Sequence, residues 1–270
     1  MDMHHLIFGT AGLTGLPSMG SALRLLREAE DLGIRHFDTA PLYGRGYAEA
    51  ILGIHLRRSG NRASVTTKFG LGACPVPRIH PLVAMPLNHL RRRLKGRPQT
   101  ETPPDDSHTP TPYRRITKEA ISTTLSQSLA RLGRDHVEYF FLHEGLPSFV
   151  EPEGMEYLLD MKRRGIIGSL GVASNANDIM SARPESFSGF DILQYESGEW
   201  LERLRSVHPD KRHFIHGCFR GRDVRGQATS RQDPLSEWVG RNPEGKVVFF
   251  TKRTQVLRSN LLAYTKEATR

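Results

Sequence analysis

The chain alternates between short apolar runs and longer stretches in which apolar residues recur at helical spacing. The short runs are rich in valine, isoleucine and phenylalanine and are bounded by glycine, proline or polar residues, as is typical of buried strands. They predict strands over residues 5–11, 35–40, 64–69, 137–143, 168–174, 191–195, 212–219 and 246–251. The longer stretches predict helices over residues 19–32, 47–58, 117–132, 153–164, 176–180, 200–207, 235–239 and 254–267. Three of these helices end at a glycine that can adopt the left-handed conformation: Gly33, Gly133 and Gly165.

This order of elements indicates the fold class. Eight strands alternating with eight helices over roughly 250 residues predict an α/β protein, a (β/α)₈ barrel with residues 1–270 in a single domain. A doubly wound sheet is the alternative, but it normally carries a phosphate-binding glycine fingerprint after its first strand. Here the first strand is followed by GTAGLTGLP, whose glycines do not lead into a helix with that spacing. We therefore predict the barrel.

Composition limits the class of protein further. The apolar content of 37% is enough for a sizeable core, and no apolar run approaches the roughly 20 residues that a membrane-spanning helix needs. The first residues, MDMHHLIFGT, lack the pattern of a signal peptide. Cys74 and Cys218 do not have the spacing of a disulfide scaffold or a thiolate metal site, so no metal is expected. These features favour a cytoplasmic protein that has no membrane partner.

The net charge of +9 is unevenly distributed. Residues 74–115 contain eight arginine or lysine residues against three acidic ones, together with nine of the seventeen prolines. A basic, proline-rich segment whose arginines are not interleaved with aromatic residues is not typical of a nucleic-acid platform, so no nucleic-acid partner is expected. We interpret residues 74–115 as a loop inserted after the third strand.

Four ionisable side chains lie at or just after the carboxyl ends of predicted strands. Asp38 ends the second strand and Tyr43 follows it five positions later, while Lys68 and His143 end the third and fourth strands. Taken singly, these residues have structural explanations, such as a turn former, a half-buried ring or a hydrogen-bonded core histidine. A parallel barrel, however, collects its strand ends on the face where active sites lie. We therefore expect the four side chains to meet there.

Together these residue types can deliver a proton to a carbonyl oxygen. A tyrosine is a weak acid near neutral pH unless a cation stabilises its phenolate, and Lys68 can supply that cation. Asp38 can keep the lysine charged in an apolar barrel mouth. His143 can orient a carbonyl by a hydrogen bond. None of the four can donate a hydride, so a reduction would need a cofactor.

The run FDTAPLYGRGYAEAILG resembles the second-strand signature of the aldo-keto reductases, especially the branch acting on aldose sugars and related aldehydes. This resemblance implies that Tyr43 is the general acid, that Asp38 and Lys68 activate it, and that His143 orients the carbonyl. It implies an oxidoreductase that reduces an aldehyde or ketone to an alcohol, or oxidises a sugar or alcohol in reverse. It also implies a nicotinamide cofactor and a small carbonyl or sugar substrate.

The resemblance extends to the segments GVASN, LQYE and VLRSNL. The residues that it assigns to cofactor binding are Gly9, Thr10, Ser174, Asn175, Gln194, His216, Thr251, Lys252, Arg253 and Asn260. Of these, His216 stands where the family generally stacks a tyrosine on the nicotinamide. Two cations and a hydroxyl at residues 251–253 favour NADP (NADPH), with NAD possible. One turn before Asn260, where the family usually has an arginine, this chain has Val256.

Further departures from the family concern the substrate. The sequence shows no C-terminal tail of the kind that closes the pocket in many family members. The insertion 74–115 should emerge on the catalytic face, where we expect it to cover part of the pocket and its arginines to favour an anionic substrate. Two alternatives for the function stay open: a non-catalytic nicotinamide-binding regulatory subunit, and a lyase that uses Lys68 to form a Schiff base.

Overall fold

A computed structural model of the chain describes residues 3–71, 80–94, 115–219 and 233–267. Within these ranges eight parallel strands pair in chain order, and the last also pairs with the first, which closes a barrel. The strands are β1 Leu6–Gly9, β2 His36–Asp38, β3 Ser64–Phe69, β4 Val137–His143, β5 Ile167–Ala173, β6 Ile192–Glu196, β7 Arg212–His216 and β8 Lys246–Phe249. The (β/α)₈ prediction is confirmed.

Helices surround the barrel. In the part of the chain that the structure describes they are α1 Met19–Asp31, α2 Tyr47–Arg58, α3 Pro81–Leu94, α4 Lys118–Leu132, α5 Pro152–Arg163, α6 Ala176–Ser181, α7 Trp200–Val207, α8 Pro234–Arg241 and α9 Thr254–Glu267. Thr117 caps the start of α4, where its hydroxyl accepts a hydrogen bond from the Ala120 amide. Gly133 ends the same helix with a φ of 67°. None of the described helices combines the length and apolar character that crossing a membrane would require.

Several strands are shorter than predicted, because the chain leaves the sheet before its apolar run ends. The strand predicted over 5–11 stops at Gly9, and the one predicted over 212–219 stops at His216. Isolated backbone hydrogen bonds continue the pairing past the ends of β1 and β2. The Thr10 amide donates to the Asp38 carbonyl at 2.9 Å, and the Thr39 amide donates to the Thr66 carbonyl at 2.8 Å. The residues released in this way form the rim of the barrel mouth.

Side chains alternate between the inside and the outside of the barrel wall. The inward positions halfway along the strands form an apolar cluster of Ile7, Phe141, Ala173, Ile192, Phe214 and Val248. Nearer the amino ends, the His36 ring stacks on Tyr139 at 4.7 Å between ring centroids. The outward positions, such as Phe37 and Phe140, pack in the larger core between strands and helices. In the described strands, the polar inward side chains near the carboxyl ends are thus separated by an apolar layer from His36 and its partner Thr66, whose Oγ1 lies 2.7 Å from His36 Nε2.

From the sequence we interpreted residues 74–115 as a loop, but helix α3 lies inside this segment. The loop interpretation is therefore wrong for residues 81–94. Two prolines make this segment look unlike a helix in the sequence. Pro81 occupies the first turn, where a missing amide proton costs little, but Pro86 lies inside the helix, where proline is normally unfavourable. The helix contacts α1, α2 and the 3₁₀ turn Leu13–Gly15. Residues 74–79 and 95–114 lie outside the described part of the chain, so the expected cover over the pocket stays a prediction.

Candidate active site

Four strands each place one polar side chain inside the barrel near its carboxyl end. These side chains are Asp38 on β2, Lys68 on β3, His143 on β4 and Gln194 on β6. In each case the adjacent strand residue points outward into the core, as Phe37, Phe69, Leu142 and Leu193 do. The alternation that buries the apolar residues thus also directs the polar ones toward one mouth.

Lys68 lies at the centre of this group. Its Nζ donates to both carboxylate oxygens of Asp38, at 2.7 and 2.8 Å, and to the carbonyl oxygen of Thr39 at 3.0 Å. The same Nζ lies 3.3 Å from the hydroxyl oxygen of Tyr43 and 4.9 Å from the centroid of its ring. Lysine, aspartate and tyrosine are therefore one connected unit, as expected from their places at the strand ends.

The electrostatics of this unit keep the lysine charged. Burial alone would lower the pKa of Lys68, whose exposed fraction is only 2%, but the Asp38 carboxylate and the Tyr43 oxygen outweigh burial and raise it. A buried ion pair is tolerated only when its remaining polar atoms are hydrogen-bonded, and the Thr39 carbonyl supplies one such bond. Lys68 is thus a fixed cation beside the tyrosine.

Tyr43 comes from the loop after β2. Burial raises the pKa of its hydroxyl, the Lys68 cation works against that rise, and the carboxylates of Asp38 and Glu144 add to it. The three residues that follow, Gly44, Arg45 and Gly46, all have left-handed φ values of 59°, 56° and 84°. Such a run favours glycine and is costly for Arg45. The loop is thus held in one specific shape around the tyrosine.

His143 faces Tyr43 across the mouth, with the two rings edge to face and their centroids 5.9 Å apart. Burial, with the positive charge of Lys68 and the nearby His216 ring, lowers the pKa of His143 well below its usual range. The imidazole is therefore neutral near pH 7 and can donate one hydrogen bond without carrying charge. A carbonyl oxygen placed between Tyr43 and His143 would meet a proton donor on each side.

Gln194 joins this group from the opposite side of the barrel. Its Nε2 donates to the Oδ2 atom of Asp38 at 3.3 Å. Its buried Oε1 has no hydrogen-bond partner among the described residues. Ser174 is buried beside it, and its amide donates to the Gln194 carbonyl at 3.1 Å. Asn175 instead caps α6, where its Oδ1 accepts from the Asp178 amide at 2.9 Å.

Other buried hydroxyls at the rim also lack partners in the described ranges. These are Thr10 Oγ1, on the residue after β1, and Thr39 Oγ1, on the residue after β2. Buried polar atoms are almost always paired, and of these atoms Gln194 Oε1 belongs to the group around Asp38, where a polar ligand could pair with it. A nicotinamide with its carboxamide and ribose fits this donor and acceptor set. Gly9 leaves some room there, because a Cβ would lie 3.5 Å from the Phe249 carbonyl oxygen.

The residues assigned by resemblance to the far end of the cofactor form a separate group. Thr251, Lys252 and Arg253 lie in the turn before α9, with both basic side chains exposed. The Thr251 hydroxyl accepts a hydrogen bond from the Arg253 amide at 3.2 Å. Asn260 is half-buried within α9. His216 ends β7 at an inward position and lies near enough to His143 to influence its pKa.

Comparison with known proteins agrees with this geometry. The sequence model of the Aldo/keto reductase family matches residues 5–203. The chain belongs to the aldo/keto reductase family. This aldo/keto reductase is 27% identical to a D-threo-aldose 1-dehydrogenase from a Pseudomonas species over 167 residues, which cover 59% of this chain and 46% of that protein. It is 25% identical to an uncharacterized oxidoreductase, YqkF, from Bacillus subtilis strain 168, over 84% of this chain and 66% of that protein.

The fold is likewise shared with solved structures. An aldo-keto reductase from Klebsiella pneumoniae in complex with NADPH superimposes with a TM-score of 0.64. It is 16% identical and is matched over 97% of this chain and 85% of its own. The present aldo/keto reductase thus spans about half the length of the first curated relative but 85% of the chain in this structure.

Sequence reasoning missed several buried polar residues of this aldo/keto reductase. Glu49 and Arg131 form an ion pair with 2.7 Å between Oε2 and Nε, and Thr67 donates to the other oxygen of Glu49 at 2.6 Å. The half-buried Glu196 was also missed, and it accepts hydrogen bonds from the Ala176 amide at 3.0 and 3.2 Å, next to Ser174 and Asn175. One signal was available: Glu49 lies three and seven residues before Leu52 and Leu56, on the core-facing side of α2.

Proposed function

We propose that this aldo/keto reductase is an NAD(P)-dependent oxidoreductase. In this proposal it reduces an aldehyde or ketone to an alcohol, or oxidises a sugar or alcohol in the reverse direction. The observation that carries the proposal is the Lys68 ammonium, which touches the Asp38 carboxylate and the Tyr43 hydroxyl at once. A tyrosine held beside a permanent buried cation is suited to give up its proton when an adjacent oxygen becomes negative.

The protein's own groups manage the proton. In reduction the Tyr43 hydroxyl donates to the carbonyl oxygen, and Lys68 stabilises the phenolate that remains. His143, neutral because its pKa is lowered, donates a second hydrogen bond to the same oxygen without a competing charge. In oxidation the phenolate of Tyr43 takes the proton from the alcohol. A nicotinamide held by the residues described below would supply the hydride in reduction and accept it in oxidation.

Gln194, Ser174 and Asn175 would hold the carboxamide of that nicotinamide. The unpaired Gln194 Oε1 supports this assignment, because an amide N–H could satisfy it. At the other end of the cofactor, the exposed Lys252 and Arg253 beside the start of α9 favour a 2′-phosphate, and with it NADPH. The NADPH bound in the Klebsiella pneumoniae structure is consistent with this preference.

The name of a relative bears on the substrate. The Pseudomonas protein is named a D-threo-aldose 1-dehydrogenase. An aldose is a neutral sugar with a carbonyl group, so this name favours a neutral sugar or aldehyde over the anionic substrate expected from the basic insertion.

A Schiff-base lyase is less well supported. Such an enzyme needs a neutral lysine as its nucleophile, and here Asp38 and Tyr43 raise the pKa of Lys68. The ammonium is also fully engaged by Asp38, Thr39 and Tyr43. A non-catalytic nicotinamide-binding subunit would keep the cofactor residues but would not need this arrangement around the tyrosine.

The test begins with cofactor binding. The purified protein is titrated with NADPH and with NADH, and nicotinamide fluorescence is recorded. A panel of neutral aldehydes, aldoses and anionic carbonyl compounds is then assayed for turnover. We expect tighter binding of NADPH and activity on neutral carbonyls or sugars. Failure to bind either cofactor would overturn the proposal, and binding without turnover of any compound would favour the regulatory subunit.

Variants make this test specific. Tyr43→Phe should bind the cofactor normally and lose turnover by about 10²-fold or more, because only the proton donor is removed. Tyr157→Phe on α5 is the matched control, since it removes a phenol hydroxyl away from the mouth, and it should behave as the parent does. Lys252→Met should weaken NADPH binding while leaving NADH binding unchanged.

A further inference from the structure

Glu49 is a buried carboxylate outside the group that contacts the substrate oxygen. It lies in the first turn of α2 with no solvent exposure. Its Oε1 accepts a hydrogen bond from the Thr67 hydroxyl at 2.6 Å, and its Oε2 accepts from Arg131 Nε at 2.7 Å. A buried carboxylate is costly unless its oxygens are satisfied, and here two elements other than its own satisfy them.

These contacts tie together the two elements that hold the proton donor and its cation. Thr67 precedes Lys68 on β3, so its side chain points outward to the helices while Lys68 points into the mouth. Tyr43 is bonded to the start of α2, because its carbonyl accepts from the Ala48 amide at 3.2 Å. The contacts therefore form a closed circuit from Tyr43 through Ala48, Glu49, Thr67 and Lys68 back to the Tyr43 hydroxyl.

We propose that Glu49 is a positioning residue that sets the separation between the Tyr43 hydroxyl and the Lys68 ammonium. The proposal rests on the proposed function, in which Tyr43 is the proton donor. The 3.3 Å between these atoms is at the long end for a hydrogen bond, so it can be shortened or lost by a small displacement of α2 against β3. Glu49 is the side chain that joins those two elements by hydrogen bonds.

Features of the surrounding chain fit such a tie. Helix α4 begins at Lys118, far along the chain from the end of β3 at Phe69. Arg131 brings α4 to Glu49, and Gly53 lets α2 approach: a Cβ there would lie 2.2 Å from the Arg131 carbonyl oxygen. The loop before α2 holds Arg45 at a φ of 56°, a conformation that the surroundings must stabilise.

The experiment weakens this tie without emptying the core. Thr67→Val keeps the shape of the side chain and removes the hydroxyl that binds Glu49, whereas Thr67→Ser keeps the hydroxyl. Thr124→Val is the matched control, because the Thr124 hydroxyl is also buried and donates to the Ala120 carbonyl at 2.7 Å within α4. Each protein is checked for its melting temperature, cofactor affinity, kcat, KM and the pH dependence of kcat/KM.

If Glu49 positions the pair, Thr67→Val loses about tenfold or more in kcat with unchanged cofactor affinity. Its basic pH limit moves upward, because Lys68 then stabilises the phenolate less. Thr67→Ser keeps the parental kcat and the parental basic pH limit, and Thr124→Val changes neither quantity. A Thr67→Val protein that melts at lower temperature but keeps the parental kcat and pH profile would show that Glu49 is only structural.

A readout without turnover separates this inference from the proposed function. The tyrosinate absorbance of each protein is titrated with alkali, and the matching Tyr43→Phe titration is subtracted to isolate Tyr43. An upward shift of this pKa in Thr67→Val supports positioning even if the parent protein reduces no compound tested. An unchanged Tyr43 titration refutes it whether or not the parent is active.

Discussion

Replacing Lys68 with methionine removes the cation beside Tyr43 and keeps most of the volume of the side chain. Two unit charges 3.3 Å apart interact by about 5 kcal/mol at an effective dielectric constant of about 20. Losing this attraction raises the pKa of the Tyr43 hydroxyl. The Asp38 carboxylate, no longer neutralised, raises the pKa further. Because the proton is only partly transferred in the transition state, we expect kcat to fall by about 10²- to 10⁴-fold.

The assay follows the absorbance of reduced nicotinamide under saturating cofactor, with the pH dependence of kcat measured for each protein. Lys162→Met is the control, because Lys162 also forms an ion pair, at 2.7 Å from Asp191, but on α5 away from the mouth. It should leave kcat unchanged. If Lys68→Met retained kcat to within a few-fold with a normal melting temperature, the role of Lys68 in stabilising the phenolate would be wrong.

Further predictions concern the cofactor, acid stability and helix packing. Gln194→Leu should weaken cofactor binding by about fivefold, seen in fluorescence titrations, because a hydrogen bond contributes about 1 kcal/mol. His36 and His143 have pKa values well below their usual range, so the unfolded chain takes up protons first as the pH falls. Urea midpoints should therefore be constant above about pH 7 and fall below about pH 6, and a flat profile would contradict this. Gly53→Ala should destabilise by about 1–3 kcal/mol in urea unfolding because its Cβ meets the α4 backbone. Gly240→Ala on α8, with open space around it, should not destabilise.

The strand ends were predictable because two independent regularities coincide there. Apolar runs mark the strands, and a parallel barrel gathers their carboxyl ends on one face. Asp38, Lys68 and His143 could therefore be grouped without knowledge of any distance. The order of the barrel followed from the same alternation, although strand limits depend on where the backbone ladder stops and not on where apolar residues stop.

Features that depend on tertiary packing were not predictable in this way. Helix α3 contains two prolines, and local sequence favours a loop, but buried Ala84 and Met85 hold the helix against its neighbours. The partnership of Glu49 with Thr67 and Arg131 joins residues that are 18 and 82 positions apart. A carboxylate in the first turn of a helix is ordinarily explained by the helix dipole. The spacing of Glu49 from Leu52 and Leu56 indicates the core-facing side of α2, but its two partners are visible only in the structure.

The apolar cluster halfway along the barrel has a consequence for proton transfer. Among its side chains, Phe141, Phe214 and Val248 carry no group that could pass a proton. If Tyr43 is the proton donor, as proposed, solvent at the mouth is the direct source from which its hydroxyl regains a proton. Substrate and solvent protons would then use the same mouth, so a bound product would slow the return of the proton to Tyr43.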